Sequence, residues 1–196
     1  MKILVLADTA DKMLWDYLNR ELLEGVELVL ACGDLPAAYL SFLTCFTDAP
    51  VLYVHGNHDQ SYDKKPPEGC ICVEDMIYVY KGVRILGLGG SMRYRAGDHM
   101  YTEREMKARI RRLWWTLFRR KGFDILMTHA PAMGVGDQDD LPHRGFSCFL
   151  KLMTRYSPKY MVHGHVHPEY GIGFKRERKY ADTEVINAYK RYFIEI

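Results

Sequence analysis

Several apolar runs in this 196-residue chain end on side chains that can bind a metal ion or move a proton. The first run stops at Asp8, the second at Gly33-Asp34, and the third at Gly56-Asn57-His58-Asp59. The segment FDILMT ends at His129, and YMVH runs into Gly164-His165-Val166-His167. Any one of these alone reads more readily as a helix cap or turn residue. Their coincidence at successive strand ends is what points to a site, because ligands of open α/β sheets collect beyond the carboxyl ends of the strands. Mixed Asp, Asn and His donors suit borderline divalent ions such as Mn, Fe, Ni or Zn, and a shared aspartate can hold two ions roughly 3.5 to 4 Å apart.

The elements that must position these groups are visible as changes of hydrophobic period. Ile3 to Ala7, Val26 to Cys32 and Val51 to His55 read as buried strands. Between the first two, Met13, Leu14, Tyr17, Leu18 and Leu22 fall at helical spacing and Gly25 stands where a C-cap belongs; between the next two, residues 36 to 46 suit a helix with Pro36 in its first turn. This βαβαβ order predicts a parallel sheet. From Cys70 the period shortens to CICV, MIYVY, the turn Lys81-Gly82 and VRILGLG, a hairpin leading onto a second sheet. Thr102 opens a predicted helix with the capping box T-E-R-E, its apolar stripe running through Met106, Ile110, Leu113, Trp114, Leu117 and Phe118 as far as Gly122. A further helix is expected over Phe146 to Tyr156, and TEVINA and YKRYFIEI read as closing strands.

Composition bounds the function. Hydrophobic residues at 48% against a net charge of +2 describe one ordinary globular domain over 1–196, with no internal repeat and no strong attraction to polyanions. The opening apolar run is cut by Asp8, too early for a signal peptide, no stretch is long enough for a membrane span, and no membrane is expected as a partner. The odd count of 5 cysteines, mostly inside apolar segments, fits buried thiols in the cytoplasm rather than a disulfide framework.

The ordered set D8-x-A10, G33-D34, G56-N57-H58-D59, H129 and G164-H165-V166-H167 resembles the calcineurin-like metallophosphoesterase family, whose usual pattern is D-x-H, G-D, G-N-H-[DE], H and G-H-x-H. The resemblance implies a four-layer α/β/β/α sandwich of two β-sheets flanked by helices. It also implies a centre of two divalent ions, Mn favoured, with Asp8 and His167 on the first, Asp34 bridging, and Asn57, His129 and His165 on the second. His58 is then the acid that protonates the leaving oxygen, with Asp59 orienting it, in the hydrolysis of a phosphate ester. Ala10 departs from the pattern by removing one ligand of the first ion, which leaves that site weakened and partly filled; Asp11 is either a replacement or the cap of the first helix. Relatives with damaged centres serve as protein scaffolds, which keeps a non-catalytic binding role as the alternative.

Other features carry less. Gly87-Leu88-Gly89-Gly90-Ser91 reads as a turn after a strand rather than a nucleotide loop. Arg93 just beyond it, and His143 and Arg144 in the loop before the 146–156 helix, are candidate contacts to a small phosphorylated substrate. The eight basic residues from Arg104 to Lys121 read as a solvated helix face, which argues against nucleic acid as a partner.

Overall fold

The computed structural model describes residues 1–168 and 174–196. In chain order the elements are β1 (Lys2–Leu6), β2 (Val26–Ala31), α1 (Ala37–Thr44), β3 (Val51–Tyr53), β4 (Ile71–Cys72), β5 (Met76–Tyr80), β6 (Val83–Leu88), β7 (Ser91–Met92) and β8 (Met100–Tyr101). There follow α2 (Glu103–Arg112), α3 (Trp114–Arg120), β9 (Ile125–Thr128), α4 (Ser147–Tyr156), β10 (Tyr160–His163), β11 (Glu177–Tyr180), β12 (Thr183–Asn187) and β13 (Tyr192–Glu195).

Side-chain alternation sets the layers. β1 to β4 form a parallel sheet closed by antiparallel β13, in the order β13-β1-β2-β3-β4; a second sheet runs β11-β12-β10-β9-β6-β5, parallel at its centre and antiparallel at both edges. Ile3, Val5, Leu28 and Leu30 point from the first sheet toward Ile85, Ile125, Met127 and Val162 of the second, forming one apolar layer between them. The intervening Leu4, Leu6 and Val29 turn outward onto Tyr39, Leu40 and Leu43 of α1. Leu86, Leu126 and Met161 turn the other way, onto Met106 of α2, Leu117 of α3 and Phe149 of α4. Strands buried on both faces therefore read as continuous apolar runs, and the result is the expected four-layer sandwich. Among the described residues no helix is long and apolar enough to cross a membrane.

Two helical expectations fail for identifiable reasons. Residues 13–22 form turns and a short 3-10 helix, Arg20–Leu23, instead of an α-helix. Asp11 starts a helical turn by accepting the amide of Met13 at 2.8 Å, but Leu18 takes φ 35°, and Asn19 caps the 3-10 segment through the Glu21 amide at 3.0 Å. The local side-chain hydrogen bonds outcompete the helix, and of the periodic residues Leu14 is buried while Met13 and Tyr17 stay exposed. The 102–122 helix has its capping box, Thr102 with Glu105, but breaks at Leu113 into α2 and α3. Beyond the break Leu117 is buried, whereas Trp114 and Phe118 face solvent instead of completing the apolar stripe.

Candidate metal centre

The parallel strands deliver their ends to one place. Asp8 and Asp34 each stand just past a strand, and His165 follows β10; all three adopt left-handed backbone conformations, with φ 65°, 56° and 70°. Such values are uncommon outside glycine and concentrate where a site needs a side chain aimed against local preference. The motif glycines make room for them. A Cβ on Gly56 would come within 2.1 Å of Asp34 Oδ1, and one on Gly164 within 2.7 Å of Asp8 Oδ2.

Around Asp34 the donors converge. His129, fully buried, places Nδ1 2.8 Å from the Cys32 carbonyl, and its Nε2 lies 3.1 Å from Asn57 Oδ1 and 3.4 Å from Asp34 Oδ2. With Nδ1–H donating to Cys32, the Nε2 lone pair meets two more acceptors, a convergence that calls for a cation or a proton. Without a metal the proton serves: although burial opposes it, the Asp34 carboxylate raises the His129 imidazole to about 9. The same pair works on Asp34, where burial is outweighed by His129 and by the His58 amide, so that its carboxyl lies well below the usual range. His165 donates from Nε2 to the Pro142 carbonyl at 2.7 Å, leaving Nδ1 as its acceptor; burial and the nearby His129 hold this imidazole down at about 3, unprotonated. Outer hydrogen bonds of this kind fix which ring nitrogen is offered to a metal. The ligand atoms of Asp34, His129 and His165 lie within 4.8 Å of one another.

Asp8 is more sparsely held. Its Oδ1 accepts the His165 amide at 2.8 Å and lies 3.6 Å from His167 Nε2, while Oδ2 is buried with no hydrogen-bond partner. A buried carboxylate oxygen without a donor is costly unless a cation meets it. These donors therefore fit divalent ions. Ala10 borders an open cavity of 410 Å³ together with Asp8, Asp34, His58 and Asp59. Asp11 does not replace the missing histidine: its carboxylate receives Arg191 at 2.5 Å and the Met13 amide.

The remaining sequence candidates divide. The exposed His58 donates its amide to Asp34 Oδ1 at 2.8 Å and lines the cavity beside Asp8. Asp59 does not orient the His58 ring: its Oδ2 accepts the amides of Asp34 and Gly56, both at 2.7 Å, which clamps two strand ends together. Burial and the Asp34 charge raise this carboxyl to about 6. Arg93 is likewise committed elsewhere, to the Met100 carbonyl at 3.1 Å and to Glu105 at the start of α2, so the centre does not receive it. His143 stands with its ring 5.4 Å from that of His165 and its Nδ1 2.7 Å from Asp140. Arg144 turns back to the Asp139 carbonyl at 3.4 Å.

Sequence reasoning missed the bracing beneath the centre. Arg109, on the supposedly solvated helix, is buried and joins Glu74 at 2.5 Å; Glu74 in turn receives the amide and ring of His55, the residue before the Gly56-Asn57-His58-Asp59 turn. Against its burial, these partners hold the Glu74 carboxyl at about 2. A lone Glu and a lone Arg far apart in the chain give no signal of such a pair. Nor did the sequence single out Tyr189, whose ring lies 4.9 Å from His167. His55, Asp63 and His99 form another close set, but the two imidazoles stack 4.3 Å apart at 6°, so their in-plane lone pairs run side by side rather than meeting at one ion.

Known proteins share this fold. One crystal structure superposes with a TM-score of 0.70 over 98% of this chain and 94% of its own at 12% identity. The crystal structure of TT1561 from Thermus thermophilus gives a TM-score of 0.63 over 95% and 88% at 15% identity. At these identities the likeness shows the fold. No curated protein matches the chain. The family model for calcineurin-like phosphoesterases matches residues 1–169, which include Asp8, Asp34, Asn57, His129, His165 and His167. The chain belongs to the calcineurin-like phosphoesterase family.

Proposed function

We propose that this protein hydrolyses a small phosphate ester at a centre of two divalent ions, the first held more loosely than the second. Membership of the family supports a metal-dependent phosphoesterase in general. The observation that carries the finer reading is the convergence of Asp34 Oδ2 and Asn57 Oδ1 on His129 Nε2, together with the orphaned Asp8 Oδ2. Asp34, Asn57, His129 and His165 would hold the second ion and Asp8 and His167 the first, with Asp34 serving both. Bound there, the ions supply Lewis acidity, neutralising phosphoryl charge and lowering the pKa of the attacking water.

The chain's own residues do the rest. His58, which lines the same cavity as Asp8 and Asp34, protonates the departing oxygen, a role suited to an imidazole near neutral pH. Asp59 is a positioning residue that fixes the Asp34 and Gly56 backbones. His143, with its ring 5.4 Å from that of His165, lines the substrate side of the centre.

Metal analysis of purified protein, with hydrolysis of aryl phosphomonoesters and diesters followed with and without added Mn, tests this. Between one and two ions per chain and activity that rises with Mn are expected. A fully metal-loaded protein that hydrolyses neither class would instead favour the protein-binding scaffold to which Ala10 points.

A further inference from the structure

The helix pair α2–α3 presents a surface that the metal centre does not use. From Met106 to Phe123 the sequence contains no Asp or Glu. Trp114, Trp115 and Phe118 are 63%, 51% and 70% exposed, and they form a continuous cluster: Trp114 lies edge-on to Trp115 at 5.4 Å, and Trp115 stacks on Phe118 at 5.8 Å. Arg111 and Arg112 flank the cluster on one side and Arg119, Arg120 and Lys121 on the other, all exposed. None of these five forms an ion pair among the described residues. Since the whole chain carries only +2, this is a strong local concentration of charge. Behind the aromatics, Ile110, Leu117, Leu152 and Tyr156 floor a groove of 720 Å³ between α2–α3 and α4, and its α4 rim adds two more cations, Lys151 and Arg155.

Exposed Trp and Phe surrounded by arginine and lysine are the composition of an interfacial helix, whose rings sit at headgroup depth while the cations meet lipid phosphates. We propose that this face docks the protein peripherally on a membrane containing anionic phospholipid. The three aromatics enter the interface, and the groove offers apolar room for an acyl chain. Two other anionic partners account for less of the surface. A single nucleic-acid strand would stack on the rings but leave the apolar floor unfilled. An acidic helix seated in the groove would cover Trp114 and Phe118 but not Trp115, which lies outside the groove lining. The face also leaves the centre free, because α3 ends just before β9 begins, and it is the far end of β9 that carries His129.

Sedimentation with phosphatidylcholine vesicles, with and without phosphatidylserine, reads this directly. Tryptophan emission provides a second readout, since two of the 3 tryptophans lie on this face while Trp15 packs against Tyr39 and Phe42. Binding and a blue shift are expected only with phosphatidylserine present, and both should weaken as salt is raised. The pair Arg119→Glu/Arg120→Glu should lower vesicle partitioning by more than about tenfold. The pair Trp115→Ser/Phe118→Ser should also release the protein, with an unchanged thermal melt because both side chains are exposed. Absence of binding to anionic vesicles, or binding that neither pair alters, overturns the proposal. So does capture of a single-stranded oligonucleotide or of polyglutamate, sensitive to the same variants, by protein that ignores vesicles. Self-association that buries the tryptophans and blocks vesicle binding would assign the face to a second copy and overturn it equally.

Discussion

Asp8 and Asp34 occupy equivalent places, each just past a parallel strand of the same sheet and each in a left-handed conformation, yet their surroundings differ sharply. Asp34 accepts the His58 amide, faces the His129 ring, and has its own amide clamped by Asp59. Asp8 has one oxygen on the His165 amide and the other on nothing, with Ala10 opening the wall beside it. The strand ends supply equal backbone positions; how many partners converge on each carboxylate decides how far each half of the centre is built in advance. A preorganised set of donors binds an ion without first having to order its side chains, whereas a sparse one depends on water and on the ion itself.

The comparison can be broken most completely at Asp34, the carboxylate proposed to be common to both halves. Asp34→Ala is expected to abolish activity and strip both ions, and elemental analysis finding wild-type metal content would remove Asp34 from its bridging place. Next in size, His58→Ala should lower turnover by roughly 10²-fold to 10⁴-fold on an ester with a poor leaving group while metal content stays the same. Unchanged turnover on that substrate would take His58 out of the chemistry. A very good leaving group would hide the effect, because it needs little protonation.

The glycines separate the halves. Gly164→Ala drives a Cβ to 2.5 Å from Ala7 Cβ and 2.7 Å from Asp8 Oδ2, so it should cost about 1–3 kcal/mol in thermal or denaturant melts and empty the first site selectively. Gly56→Ala meets Asp34 instead and should disturb both sites. If the two variants lost the same ions, the division of the centre would be wrong. The smallest expected change is a gain: Ala10→His should raise first-site occupancy and reduce the Mn needed for half-maximal activity by several-fold. Titration of metal-free wild type settles the underlying asymmetry, since two ions bound with equal tight affinity would mean that some other group already stands in for the absent histidine.

Much of this molecule was legible in the chain itself. The double burial of β1 and β2 shows as unbroken apolar runs, the capping box at Thr102 marks a helix start, and the ordered polar ends from Asp8 to His167 mark the site. Those signals are local: each depends on neighbours within a few residues, so sequence spacing determines them. What sequence spacing could not determine was competition between distant partners. Residues 13–22 carry a helical period, but whether that stripe is buried depends on what packs against it: Leu14 joined the core and Leu22 packs partly against it, while Met13 and Tyr17 stay exposed. Arg109 looked like one more surface cation until the fold brought Glu74 and Asp75 to it. Asp59 belonged to a catalytic motif on paper, yet the nearness of the Asp34 and Gly56 amides turned its carboxylate into a clamp. The backbone carbonyls of Cys32 and Pro142, which set the ring nitrogens of His129 and His165, have no sequence signature at all. The chain alone determined which groups are delivered to the strand ends. The tertiary structure decided which are pinned, paired or left open, because hydrogen bonds and charges act over a few ångströms in space whatever the distance along the chain.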